Sequence, residues 1–143
     1  MPKTKLELPG HFTFTTDIPI RITDLNYGGH VGNDSVLSLL HEIRMQFLNH
    51  HGYTEMDLAG TGIIMADVTI EFRSEVFYGE VLKASVAAAE FSRIGFDIYY
   101  KLEKEVNEKW ITAAVARTGM VCYNYAQKKI VSVPKEVCTI LLS

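Results

Sequence analysis

Three carboxylates and one imidazole, Asp24, Asp34, Glu42 and His30, fall within a single nineteen-residue stretch. The first part of that stretch reads Asp24-Leu25-Asn26-Tyr27-Gly28-Gly29-His30-Val31-Gly32-Asn33-Asp34. Three glycines in eleven residues exclude a regular element there. They also let the backbone turn successive N–H groups toward one point. A helix that starts directly afterwards adds the partial positive charge of its N-terminus. Such a frame suits the oxyanion that develops when a nucleophile attacks a carbonyl, with the N–H groups around His30 to Asn33 as donors. His30 could position the reacting group or serve as an acid. Asn26 could orient water or the carbonyl by hydrogen bonds, but an amide cannot act as a base.

Each of these residues also has a plainer reading. Asn26 suits a left-handed turn, and His30 could simply tie the loop together. Asn33 or Asp34 is a natural N-cap for the helix. Asp24 fits a turn, and Glu42 fits a solvated helix face. The pair His50-His51 reads as favourable charge at a helix C-terminus rather than as a metal site. No His/Cys/Asp spacing matches zinc, and neither a serine nucleophile elbow nor a P-loop occurs.

The elements that must hold this stretch follow from periodicity. Phe12, Phe14, Thr16, Ile18, Ile20 and Ile22 alternate with mostly polar neighbours. That alternation predicts a strand, with Pro19 marking an edge or a break. Val36, Leu39, Leu40, Ile43 and Phe47 form one apolar stripe at helical spacing, predicting a helix over 35–50 that ends at Gly52. Asp34, Ser38, His41, Glu42 and Met45 lie off that stripe and are free to meet a substrate or a second subunit. Four strands follow: 66–73, 81–91, 94–103 and 111–123. They are separated by turns at Tyr78-Gly79-Glu80, Ser92-Arg93 and Asn107-Glu108-Lys109, and a short segment starts at Pro134. Short turns favour antiparallel neighbours, so these strands are expected to form a four-stranded meander. One helix cannot cover both faces of five strands. The economical solution is an α+β fold, a five-stranded antiparallel sheet wrapped around one long central helix, in a single domain spanning 1–143.

Bulk properties fit a soluble domain. The chain of 143 residues is 48% hydrophobic and 22% charged, with a net charge of −3. These values lie close to those of ordinary globular domains. Acidic and basic residues are mixed along the chain, so no basic block tracks a nucleic-acid backbone. Cys122 and Cys138 form neither a CxxC pair nor a disulfide framework. They read as small hydrophobes in a reducing compartment. The N-terminal residues Met1 to Lys5 lead into no apolar signal-peptide core. No apolar run is long enough for a membrane span. The expected location is cytoplasmic.

Strand, glycine-rich loop with a histidine, then a long helix is an order that resembles the hotdog fold. The segment from Asp24 to Asn33 is similar to the pattern D-x-D-x-x-G-H-V-N-N of 4-hydroxybenzoyl-CoA-thioesterase-like proteins. His41-Glu42-Ile43-Arg44 resembles that family's E-x-x-R region, and Ile70-Glu71-Phe72-Arg73 followed by Gly79-Glu80 resembles its second-strand signature. The resemblance covers about residues 15–123. It implies hydrolysis of an acyl-CoA or acyl-carrier thioester, with CoA as part of the substrate and no separate cofactor. It also implies a homodimer, or a homotetramer built as a dimer of dimers, in which Glu42 could activate water or attack across the interface. Two positions depart from the pattern: Asn26 stands where the family carries its catalytic aspartate, and Gly32 replaces the first Asn of the pair. The acid is therefore expected from Asp24, Asp34 or Glu42. Gly29, Val31, Gly32 and Asn33 would bind the thioester through the loop. Arg73 and Arg93, at strand ends, could meet the phosphates of the carrier, as could Arg117, although all three also suit ordinary ion pairs. The alternative is a non-catalytic hotdog module that binds acyl thioesters or a protein partner, and Asn26 is the feature that favours it. A dehydratase or hydratase would need a His/Asp or His/Glu pair aligned on a hydroxyacyl chain, and no such signature is visible.

Overall fold

The computed structural model describes residues 5–143; residues 1–4, where the signal-peptide reading begins, lie outside it. Strand β1 runs Phe14–Pro19, and a short 3-10 turn over Ile22–Asp24 leads into the glycine-rich loop. Helix α1 spans Asn33–His50. Strands β2 (Gly62–Phe72), β3 (Val81–Ala89), β4 (Gly95–Val106) and β5 (Lys109–Asn124) follow. A two-residue strand β6 (Lys129–Ile130) and helix α2 (Lys135–Leu141) close the chain.

Helix α1 buries Val36, Leu39, Leu40, Ile43 and Phe47, the predicted stripe, and adds Arg44 and Leu48 to it. It ends as expected: His51 closes the last turn and Gly52 takes a positive φ. Its N-terminus differs from expectation. Gly32 is the N-cap and has no side chain to offer, while Asn33 and Asp34 already lie inside the first turn and cap nothing.

The strand order is β1-β3-β4-β5-β2, all antiparallel, with β6 appended to β5. The sheet therefore has six strands rather than five, the sixth being too short to leave an alternation in the sequence. The meander is three-stranded. Strand β2 does not pair with β3 but crosses to the far edge and runs along β5 from Gly62↔Tyr123 to Phe72↔Ala114. The reason is the segment 73–77. Arg73 and Ser74 donate backbone N–H bonds to the Ala113 carbonyl, and the Val76 carbonyl accepts from Val31. This segment crosses the sheet end as a strap, which a count of turn lengths cannot foresee. Pro19 closes β1 at the other edge, where no ladder bond is lost.

Buried inward residues of the sheet, among them Leu82, Val86, Ile98, Tyr100, Leu102, Ala116 and Met120, pack with the α1 stripe into one core. Alanines at 84, 88, 113, 114 and 116 keep the sheet surface low, so the helix can approach it closely. Helix α2 adds Val137 and Leu141, two buried residues one turn apart. On the outer face Arg117 ion-pairs with Asp67 on β2 and with Asp97 on β4, the latter at 3.0 Å.

Candidate functional site

The loop between the 3-10 turn and α1 is tied at both ends. Asp24 is buried, and its carboxylate accepts from the Arg21 backbone N–H at 2.8 Å and from the Arg21 guanidinium at 3.3 Å. Its carbonyl accepts the Gly32 N–H at 3.4 Å. Asp24 is thus turned inward and occupied, which suits it to holding the loop and removes it from the reacting surface. Asn26 folds the next turn: its Oδ1 accepts the Gly28 N–H at 2.8 Å, and its carbonyl accepts the Gly29 N–H at 3.1 Å. Gly29 takes the positive φ that this turn requires.

Asn26, His30 and Asp34 converge over two glycines. A Cβ on Gly28 would lie 3.1 Å from His30 Nε2 and 3.3 Å from Asn26 Oδ1. A Cβ on Gly32 would lie 2.9 Å from Asp34 Oδ1 and 3.6 Å from Asn26 Nδ2. Gly28 thus leaves room beside His30 and Asn26, and Gly32 beside Asp34 and Asn26. His30 is half-buried; its Nδ1 sits 3.3 Å from the Val31 carbonyl, so Nε2 is the nitrogen left for other partners.

Not every predicted backbone donor is free. The Val31 N–H is spent on Val76 and the Gly32 N–H on Asp24. Of the predicted donors Asn33 remains free, and Asp34 and Ser35 extend the set. Among the described residues, the N–H groups of Asn33, Asp34 and Ser35 find no acceptor, the first helical bond being Val36 N–H to the Gly32 carbonyl. An uncapped helix N-terminus of this kind is a ready site for a partial negative charge.

That N-terminus opens on a cavity of about 240 Å³ between the start of α1 and the end of the sheet. His30, Asn33, Phe72, Arg73 and Glu75 stand at its partly exposed rim, and its floor is aliphatic. The strap supplies one wall: Ser74 Oγ donates to the Thr112 carbonyl, and residues His30 and Phe77 pair as an isolated bridge. Sequence reasoning missed the strap and the floor because they meet the loop only through contacts distant in sequence.

The remaining candidates lie elsewhere. Glu42 accepts from Gln46 Nε2 at 2.8 Å and faces a separate groove between β1 and α1, lined also by Asp17, Arg21 and Met45. It stands two turns beyond Asp34, about 12 Å along the helix axis, and neither carboxylate lines the cavity beside His30 in one protomer. Arg73 stays at the cavity rim, 3.9 Å from Glu71. Arg93 lies at the opposite end of the sheet, where its carbonyl accepts from Val133. Strand β4 starts just after it at Gly95 and runs the greater part of its length before it meets the cavity at Leu102. Arg93 therefore stands at the far end of β4 from His30 within one protomer. Arg117 is held by two carboxylates on the outer face. No group of three or more His, Cys, Asp or Glu is placed to hold a metal among the described residues, and no described helix is long and apolar enough to cross a membrane.

Comparison with known proteins bears on the whole arrangement. The profile described as thioesterase-like superfamily matches residues 20–141. A relative from Aquifex aeolicus (strain VF5) named "Putative esterase" is 29% identical over 115 residues, covering 79% of this chain and 85% of its own. The crystal structure of a hypothetical protein from Aquifex aeolicus is similar with a TM-score of 0.79 at 25% identity, covering 90% of this chain and 99% of that one. The 4-hydroxybenzoyl CoA thioesterase from Pseudomonas sp. strain CBS-3 superposes with a TM-score of 0.80 at 14% identity, covering 91% of this chain and 99% of that one. A 1,4-dihydroxy-2-naphthoyl-CoA thioesterase from Synechocystis does so with a TM-score of 0.78 at 18% identity, covering 90% and 94%. The fold is the hotdog fold that these thioesterases share.

Proposed function

The chain belongs to the thioesterase-like superfamily, and on that premise we propose that it hydrolyses the thioester of an acyl-CoA or acyl-carrier substrate to the free acid and thiol. One observation carries the reading. The unbonded N–H groups at the start of α1 stand beside an apolar cavity lined by His30 and Asn33, with Asn26 and Asp34 on the loop and first turn just outside its lining. In this reading the carbonyl oxygen takes hydrogen bonds from the Asn33 to Ser35 N–H groups, which strengthen as it becomes an oxyanion. Asp34, the exposed carboxylate of the group, removes a proton from the attacking water. Asn26 orients that water through its amide, and His30 positions the thioester. The C–O bond forms, the C–S bond breaks, and the departing thiolate takes up the proton. Arg73 at the rim meets a phosphate of the carrier.

The same reading takes the protein as a homodimer. Strand β2 is a long edge with Met65 and Phe72 exposed, and pairing with a second copy would cover it.

The test is release of free thiol from a panel of acyl-CoAs. Asp34→Asn should lower kcat by about 10²–10⁴ while the far-ultraviolet dichroism is kept. A wild-type rate for Asp34→Asn, with Glu42→Gln inactive, would move the base to Glu42. Asn26 favours a second reading, a module that binds thioesters without cleaving them. Tight binding of acyl-CoAs with no thiol release from any of them would establish that one instead.

A further inference from the structure

The cavity beside the free helix N-terminus has a division that the proposed hydrolysis does not itself require. Of its polar lining residues, Asn33, Arg73 and Glu75 are exposed at the rim, and His30 is half-buried beside them. Its buried floor is made by Val36, Leu39, Leu82, Leu102, Ala113 and Ala114, each no more than 6% exposed. No side chain of that floor can donate or accept a hydrogen bond, and the one hydroxyl in the strap wall, Ser74, is already given to Thr112. A polar group carried to the floor would lose its water and find no partner.

The floor also has an end. Leu39 lines this cavity on one side and the groove that holds Glu42 on the other. It lies about 9 Å along the helix axis from Asn33 at the rim. At roughly 1.3 Å per carbon of an extended chain, that depth accommodates about eight carbons.

Resting on the thioesterase reading, we propose that this site takes an unbranched, unsubstituted aliphatic acyl group of about eight carbons, with Leu39 as the residue that sets its length. The carbonyl stays at the rim beside the helix N-terminus, and the tail runs along the α1 stripe to Leu39. Polar aromatic acyl groups are poor ligands because the floor leaves their hydroxyl unpaired.

The experiment uses two series on the full chain. The first measures binding of unreactive S-alkyl-CoA thioethers from two to sixteen carbons by calorimetry; the second measures kcat/KM for the matching acyl-CoAs. Affinity should rise about fourfold per methylene up to about eight carbons and then level off. An 8-hydroxyoctanoyl thioester should lose about 10- to 100-fold in kcat/KM against octanoyl. Leu39→Ala joins the cavity to the groove and should carry the rise to longer chains. Ala113→Val fills the floor and should stop it earlier, which keeps the inference testable if Leu39→Ala does not fold. Flat affinity along the series, or 4-hydroxybenzoyl-CoA cleaved faster than octanoyl-CoA, overturns the inference whether or not the protein is a thioesterase. The expected binding ladder with no thiol release supports the inference and overturns the hydrolysis alone. No binding of any thioether overturns it outright.

Discussion

In the proposed hydrolysis Asp34 takes the proton from water, and the space at its neighbour Gly32 lets its carboxylate stay where it is. A methyl at position 32 would stand 2.9 Å from Asp34 Oδ1, too close for the carboxylate to stay. The side chain of Asp34 is an exposed rotor, so it would swing away with little cost to folding. Gly32→Ala is therefore expected to keep its melting temperature within a few degrees and to lose roughly 10²-fold in kcat, as misplacement of a catalytic group does. Gly95→Ala is the contrasting case. There the methyl would clash with the Met120 backbone carbonyl, which only the strand itself could relieve. Denaturant titration should show a loss of about 2 kcal/mol or more. That Asn26, His30 and Asp34 lie on one loop and the helix start after it was legible in the sequence, and so was the reading of Asp24 as a turn residue. What was not legible is the partner of the Asp24 carboxylate, supplied by Arg21 at the start of the 3-10 turn. Glu42 was rightly set off the core stripe by its helical angle, but an angle does not tell one groove from another.

At the scale of elements, α1 was legible almost to its ends because an apolar stripe and a terminal glycine are local signals. Its free N-terminus was misjudged, since Asn33 and Asp34 are good caps by type but stand one and two positions too late to serve. The helix also buries Arg44, which donates to Glu55 Oε2 at 3.2 Å and to the Tyr100 hydroxyl at 3.3 Å. Tyr100 in turn shares a bond with Thr118. This ties α1 to the loop after it and to β4 and β5. Arg44→Ala should cost about 3 kcal/mol, because it leaves a buried cavity, takes a donor from Tyr100 and leaves Glu55 with His41 alone, and Arg44→Met should cost less than Arg44→Ala if Glu55→Met accompanies it. Chemical denaturation of these variants checks the order. Strand β2 was found as a strand but not placed, because pairing with β5 is set by the strap and not by its own alternation. In the proposed dimer this edge, with Met65 and Phe72 exposed, is the one that is covered. Met65→Lys combined with Phe72→Glu is expected to shift a sedimenting dimer toward monomer; an unchanged sedimentation coefficient would reject this edge as the interface.

For the whole molecule, the layout of one helix against one curved sheet followed from counting faces to be covered. The order of the strands did not, because β1 against β3 and β2 against β5 are pairings between distant segments. The small elements β6 and α2 fell below any periodic signal, although Val137 and Leu141 are one turn apart. The stability of this fold as a unit carries a pH dependence that can be worked out from one buried ring. His51 closes α1 with Nε2 buried and unpartnered, its ring edge-on to Phe47 at 5.2 Å and to His50 at 4.9 Å. Burial, with a lesser contribution from His50, lowers its pKa below the ordinary 6.5. Between that lowered value and 6.5 the unfolded chain binds the proton and the folded chain resists it. The slope of unfolding free energy against pH is then positive, and stability is lost as pH falls below about 6.5. Scanning calorimetry should find the unfolding midpoint lower at about pH 5.5 than at about pH 7.5. His51→Phe keeps the aromatic contact with Phe47 and removes the proton site, so its midpoint should vary less over the same interval. A variant whose midpoint falls as steeply as that of the native chain would assign the acid sensitivity to other groups.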